Sequence, residues 1–133
     1  MENLDKKQTI LIVDDDNFML DMYSVKFKER GFDVNVSIDP KQSLENLREG
    51  LSPSVILFDM VMPDVDGLEF LETIKKEKLA ESAVLIAVSN QWEESYIEKA
   101  KALGVDDYII KADTIPSEVL DKVEQIIKNH NKN

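Results

Sequence analysis

The chain contains no cysteine. Neither a disulfide framework nor a thiol site is available to it, which suits a reducing compartment. Long apolar runs are also missing. The longest, such as residues 83–88, are strand-length and fall far short of the roughly 20 apolar residues that span a bilayer. Residues 1–8 are polar and charged, without the apolar centre of a signal peptide. A cytoplasmic protein without a membrane partner is therefore expected. Basic charge is scarce: 16 Lys and Arg stand against 27 Asp and Glu, for a net charge of −11. Phosphate backbones require a basic stripe, so no nucleic-acid partner is expected. The excess carboxylate promotes solubility and suits cations or basic partner faces. The single histidine, His130, lies in a polar C-terminal stretch and is assigned no function.

What is present fits one domain with one core: 133 residues, 43% hydrophobic and 32% charged. We expect a single domain over residues 1–133, with a core at about 9–128 and polar tails at 1–8 and 129–133. Residues 9–13, 54–58, 83–88 and 107–110 are short apolar runs that read as buried strands. Residues 32–38 alternate, with Val34, Val36 and Ile38 on one face, and read as a strand nearer a sheet edge. Helical spacing appears in between. Met19, Met22, Tyr23 and Phe27 mark a helix over 17–30, capped by Asp16 or Asn17 and ended by Gly31. Asp39-Pro40 starts a second helix to about Glu49, with Leu44 and Leu47 inward. Asp66-Gly67 opens a third through Lys76, with Leu68, Phe70, Leu71 and Ile74 inward, and a fourth runs over 93–103. The last, 117–128, turns Val119, Leu120, Val123, Ile126 and Ile127 inward. Alternating strands and helices require parallel pairing, hence an α/β three-layer sandwich. The expected order of the five-stranded sheet is 2-1-3-4-5, the flavodoxin-like arrangement.

Chemistry-bearing residues fall at one kind of position. Asp14 and Asp15, Asp59, Ser89 and Lys111 each follow an apolar strand directly. In a parallel sheet those positions share the carboxyl edge, where open α/β sheets bind ligands at the switch in strand order. Strands 1 and 3 would then bring Asp14, Asp15 and Asp59 into one crevice. Three carboxylates there repel, and a hard divalent cation is the expected remedy. Mg²⁺ binds through one or two carboxylates, waters and phosphate oxygens. With a lysine and a hydroxyl added, the set suits phosphate handling, with a carboxylate as nucleophile and an aspartyl phosphate as product. Each residue alone has a plainer reading: solvated loop acids for Asp14 and Asp15, a helix cap for Ser89, a surface lysine for Lys111, a strand aromatic for Tyr108. It is their common placement that favours chemistry.

These residues carry a family resemblance. Val13-Asp14-Asp15, Asp59 followed by Met62-Pro63-Asp64-Val65-Asp66-Gly67, Ser89, Tyr108 and Lys111 resemble the signature of a response-regulator receiver domain, from about Thr9 to Lys128. The resemblance implies Asp59 as phosphoacceptor. It implies a metal held by Asp15, Asp59 and the backbone carbonyl of Val61, with Asp14 reaching it through water, and Lys111 on the phosphoryl group. Ser89 and Tyr108 would form a switch pair. The expected donor is a histidine kinase or a phosphotransfer protein. A downstream protein would meet the face of helix 4, strand 5 and helix 5, and the chain would be a switch rather than an enzyme with outside substrates. The alternative is a docking module of the same fold that works without phosphorylation. An aspartyl phosphatase is a third reading; such enzymes place a second Asp two residues beyond the nucleophile, where this chain has Val61.

The sequence departs from the family pattern in two places. Ala112 follows Lys111 where the family usually has a proline joined by a cis bond. A cis bond before a non-proline costs about 2.5–4 kcal/mol, so a trans Lys111–Ala112 bond is expected. Asn90 replaces a small residue after Ser89 and, with Val61 and Gln91, is expected to affect how long the phosphoryl group lasts. Gly67 is expected to serve backbone geometry, Met60 and Met62 to shape the loop after Asp59, and Trp92 either to pack locally or to mark a partner surface.

Overall fold

A computed structural model describes residues 8–131. Strand β1 (Thr9–Val13) is followed by α1 (Asn17–Glu29), β2 (Asp33–Ser37), α2 (Pro40–Arg48) and β3 (Val55–Phe58). Then come α3 (Gly67–Lys76), β4 (Val84–Ser89), α4 (Glu94–Ala102), β5 (Asp107–Ile110), a short 3₁₀ turn (Lys111–Asp113) and α5 (Pro116–Asn131). All pairings are parallel and the order is β2-β1-β3-β4-β5, as expected from the sequence.

Period-two alternation along the strands divides the core into two layers. Ile10, Ile12, Val55, Leu57, Val84, Ile86, Val88 and Ile109 meet α1 and α5 on one face. Leu11, Val13, Ile56, Phe58, Leu85 and Ala87 meet α2, α3 and α4 on the other. Central strands covered on both faces leave no polar side; all four residues of β3 are buried.

Helix ends follow local chemistry. The Asp16 side chain accepts from the N–H groups of Phe18 and Met19, so Asp16, not Asn17, is the cap of α1. Asp39 caps α2 with Pro40 at its first position. Asp66 and Glu69 form a reciprocal capping box at α3. Gly31, with φ 91°, takes the left-handed conformation just past α1.

Several expectations need correction. The inward stripe of α1 is Leu20, Tyr23 and Phe27; Met19 and Met22 are only half-buried beside it. The methionines lie to one side of the helix face that Tyr23 and Phe27 direct into the sheet. Val36 and Ile38 are 47% and 52% exposed, and only Val34 packs against the core. β2 is an edge strand, and the cover over its face does not reach its carboxyl end. Met60 and Met62 are core residues, not merely loop formers. Residues 129–131 are not a tail but belong to α5, because neither Pro nor Gly interrupts the helix there. His130 is exposed in the final turn. The polar reading of residues 1–7 lies outside the described residues. Among those described, no helix is long and apolar enough to cross a membrane.

Candidate phosphoryl-transfer site

The sheet register brings the acids together. Val13 pairs with Phe58, so the next residue on each strand, Asp14 and Asp59, emerges side by side. Backbone bonds extend the ladder across that point: Asp59 N–H donates to Val13 O at 3.0 Å, and Asp14 N–H to Ser37 O at 3.1 Å. Asp14 is 1% exposed and Asp59 8%, while Asp15 faces solvent. Carboxylate oxygens of all three lie within 4.8 Å of one another.

Lys111, from the end of β5, reaches into this cluster. Its Nζ donates to Asp14 Oδ2 at 3.0 Å and to Asp59 Oδ2 at 3.1 Å. The other oxygens also have partners: Asp14 Oδ1 accepts from Asp16 N–H at 3.0 Å, and Asp59 Oδ1 from Val61 N–H at 3.2 Å. Burial pushes the Asp14 carboxyl above its ordinary value, with the Asp16 N–H and Lys111 working against it. Burial alone would lower Lys111, but Asp59 and Asp14 together outweigh it and hold its pKa above the ordinary value.

The charge count is informative. Three carboxylates against one ammonium leave two negative charges uncompensated. At an effective dielectric of about 20, each pair of carboxylates at such a separation costs about 3–4 kcal/mol. A divalent cation with oxygen ligands matches both the charge and the donor type. The residues therefore fit a Mg²⁺ site, with Asp14, Asp15 and Asp59 as the side-chain donors; a group of this kind supplies charge neutralisation to a transferring phosphoryl group.

Ser89 is the last residue of β4, not the first beyond it, and is fully buried. Its Oγ accepts the Gln91 N–H at 3.1 Å. Tyr108 Oη donates to the Gln91 carbonyl at 2.7 Å. Burial raises the Tyr108 pKa, opposed by the Ser89 hydroxyl. Ser89 and Tyr108 are thus joined through the backbone of Gln91. Sequence reading did not assign that junction, because a backbone group has no residue-type signal. Trp92, one residue on, is 73% exposed, so it does not pack locally. Asn90 is exposed as well.

The Lys111–Ala112 bond is trans, and among the described residues no peptide bond is cis. The chain leaves β5 through the 3₁₀ turn, where Thr114 Oγ1 donates to Ile110 O at 3.1 Å.

Gly67 serves backbone geometry, as expected. The loop after Asp59 folds back so closely that Gly67 N–H donates to Met60 O at 2.8 Å. A Cβ at Gly67 would stand 2.5 Å from Met60 Cα and 2.8 Å from Asp59 O, both backbone atoms that cannot swing aside. Gly67→Ala is expected to cost about 2 kcal/mol or more, a typical overpacking penalty, read as a lower urea midpoint. An unchanged midpoint would mean that the loop relaxes freely.

The chain is similar to known proteins in sequence and in fold. A family model described as "Response regulator receiver domain" matches residues 10–124. The DNA-binding response regulator MtrA of Mycobacterium tuberculosis is 30% identical over 105 residues, covering 79% of this chain and 44% of that protein. The alkaline phosphatase synthesis transcriptional regulatory protein PhoP of Bacillus subtilis is 26% identical over 119 residues, covering 90% of this chain and 48% of that one. The chain thus spans about half the length of the curated relatives it matches. Among solved structures, a CheY-like response regulator receiver domain protein from Methanospirillum hungatei superposes with a TM-score of 0.86 at 27% identity, covering 96% of this chain and 98% of that one. A chemotaxis response regulator of Vibrio cholerae, 20% identical with a TM-score of 0.82 over 91% and 99% of the two chains, shares the fold. With the match extending over the whole sheet and its carboxyl edge, the chain belongs to the response-regulator receiver family of two-component signalling.

Proposed function

We propose that the chain accepts a phosphoryl group on Asp59 from a histidine kinase or phosphotransfer protein, with Mg²⁺, and thereby changes its binding to a downstream protein. The observation that carries this reading is the cluster of Asp14, Asp15 and Asp59 with Lys111 bonded to two of them. A carboxylate oxygen of Asp59 forms the new O–P bond while the N–P bond of the donor phosphohistidine breaks, its electron pair returning to the imidazole nitrogen. Asp15, Asp59 and the Val61 carbonyl would hold the metal, with Asp14 reaching it through water, and the metal would supply charge neutralisation to the transferring phosphoryl group. Lys111 exchanges its bond to Asp59 for one to a phosphoryl oxygen and offsets the charge there.

Ser89 and Tyr108 read out the modification. The Ser89 hydroxyl turns its hydrogen toward the phosphoryl oxygens. Because Ser89 also holds the Gln91 N–H, and the Gln91 carbonyl holds Tyr108, the three move as a unit. The face of α4, β5 and α5 then presents a changed surface to a protein partner. The chain acts as a phosphoacceptor switch, with no reaction beyond its own phosphorylation and dephosphorylation.

The test uses acetyl phosphate as a small donor and intact-mass measurement as readout. A gain of one phosphoryl group is expected with Mg²⁺ and not with chelator. No gain, or an equal gain in chelator, would overturn the reading.

A further inference from the structure

Lys111 reaches its partners from a distance. The sheet order is β2-β1-β3-β4-β5, so its side chain starts at the edge strand β5, passes β4 and ends on acids carried by β3 and β1. Neighbouring strands lie about 4.8 Å apart, which sets β3 about 10 Å from β5 and β1 about 14 Å from it. The four-carbon stem nonetheless brings Nζ to Asp59 Oδ2 at 3.1 Å and to Asp14 Oδ2 at 3.0 Å. Both bonds depend on where the Lys111 backbone stands.

Little in the neighbouring chain holds that backbone. The β4–β5 ladder ends with the pair Ser89 and Ile110, one residue before Lys111. Residues 111–114 contain no proline, so no ring fixes the backbone there. Ala112 is exposed and Ile115 is 60% exposed, so neither anchors the turn by packing. Thr114 supplies two tethers. Its N–H donates to Lys111 O at 3.2 Å, the upper limit of the usual range, and its Oγ1 donates to Ile110 O at 3.1 Å. The hydroxyl bond reaches back to the last residue of β5 and closes the turn around Lys111. The plainer role for a threonine here is to cap α5, but α5 caps itself. Ile115 N–H donates to Glu118 Oε1 at 3.0 Å, and Glu118 N–H to Ile115 O at 2.9 Å.

We infer that Thr114 is a positioning residue for Lys111: its hydroxyl, bonded to the Ile110 carbonyl, holds the end of β5 where the ammonium meets Asp14 and Asp59 together. The inference rests on the phosphoacceptor reading of Asp59 for its effect on rate, whereas its effect on the Lys111 ion pairs stands apart from that reading. Valine at this position keeps the shape and removes the donor; serine keeps the donor and removes a methyl group. Without the tether the ammonium shifts, and a misplacement of about 1 Å can cost about 100-fold in a positioned reaction.

Thr114→Val and Thr114→Ser test it, with folding checked by far-UV circular dichroism. With acetyl phosphate and Mg²⁺, intact mass should show incorporation slowed about tenfold or more in Thr114→Val and within about twofold of the parent in Thr114→Ser. In chelator, nitrogen–proton correlation spectra report the Lys111 ammonium directly, its resonance assigned by its loss in Lys111→Met. It should be sharp in the parent and in Thr114→Ser, and broadened or lost in Thr114→Val as water reaches the freed ammonium. A resonance no sharper in the parent than in Thr114→Val overturns the inference. So does a folded Thr114→Val that incorporates at the parent's rate, or equal slowing in Thr114→Ser, which would assign the effect to methyl packing. A parent that takes up no phosphoryl group overturns the phosphoacceptor reading instead, and the resonance then decides the role of Thr114.

Discussion

Asp59→Asn is expected to lose phosphoryl incorporation from acetyl phosphate by at least about 100-fold while remaining folded. The amide has no anionic oxygen to form the acyl phosphate, yet it has nearly the same shape. Its carbonyl can still accept the Val61 N–H that Asp59 Oδ1 accepts at 3.2 Å. The energetic consequence has the less familiar sign. Asp59 attracts Lys111 at 3.1 Å but repels two carboxylates whose oxygens lie within 4.8 Å. At an effective dielectric of about 20 the one attraction and the two repulsions nearly cancel, with a small balance toward repulsion. Metal-free Asp59→Asn should therefore be as stable as the parent or more so, by on the order of 1 kcal/mol. Urea unfolding in chelator reads the stability, and intact mass reads the incorporation. Incorporation equal to the parent's would assign the nucleophile to another residue.

Lys111→Met should have the largest effect on stability, a loss of about 3 kcal/mol or more in chelator at neutral pH. Its side chain is 14% exposed and bonds to carboxylates that are 2% and 11% exposed, so little water is available to replace it. Removing the ammonium leaves buried carboxylates uncompensated. The pH dependence follows from the direction of each shift. The folded Asp14 pKa already lies above 3.8, chiefly through burial, so the folded state holds that proton more tightly than the unfolded state. The associated cost is fully present above the folded pKa and disappears as pH falls toward 3.8. Without Lys111 the folded pKa rises further and the window widens upward. The deficit of Lys111→Met should therefore shrink as pH falls from neutrality toward 3.8. In the parent, Lys111 is shifted above 10.5, so its contribution is intact below that value and is lost as pH rises through the folded pKa. A deficit independent of pH would point to lost packing of the lysine stem rather than lost charge.

Much of this was legible from residue types alone. Apolar runs of strand length between helical patterns specify a parallel sheet, because parallel strands need crossovers and crossovers of this length are helices. Caps such as Asp16, Asp39 and Asp66 are local features, satisfied by N–H groups two or three residues away. The acids, hydroxyl and lysine stand where strands end, and a parallel sheet has one carboxyl edge. Their convergence was therefore foreseeable from order and position.

What remained hidden depends on the company an element keeps. Periodicity gave a helix at α1 but not the rotation of its inward stripe, and Phe18 and Val25, as apolar as their neighbours, ended up in solvent. Alternation gave β2 two faces but could not say that cover would fail near Val36 and Ile38. The tie between Ser89 and Tyr108 runs through the N–H and carbonyl of Gln91, groups that every non-proline residue carries. By itself the sequence determined the fold class and which residues meet at the carboxyl edge, because strand length, caps and turn residues act over a few neighbours. Only the tertiary structure decided which oxygens Lys111 bridges, what Gly67 must clear and which ridge of α1 is left bare, because those depend on distances between segments far apart in the chain.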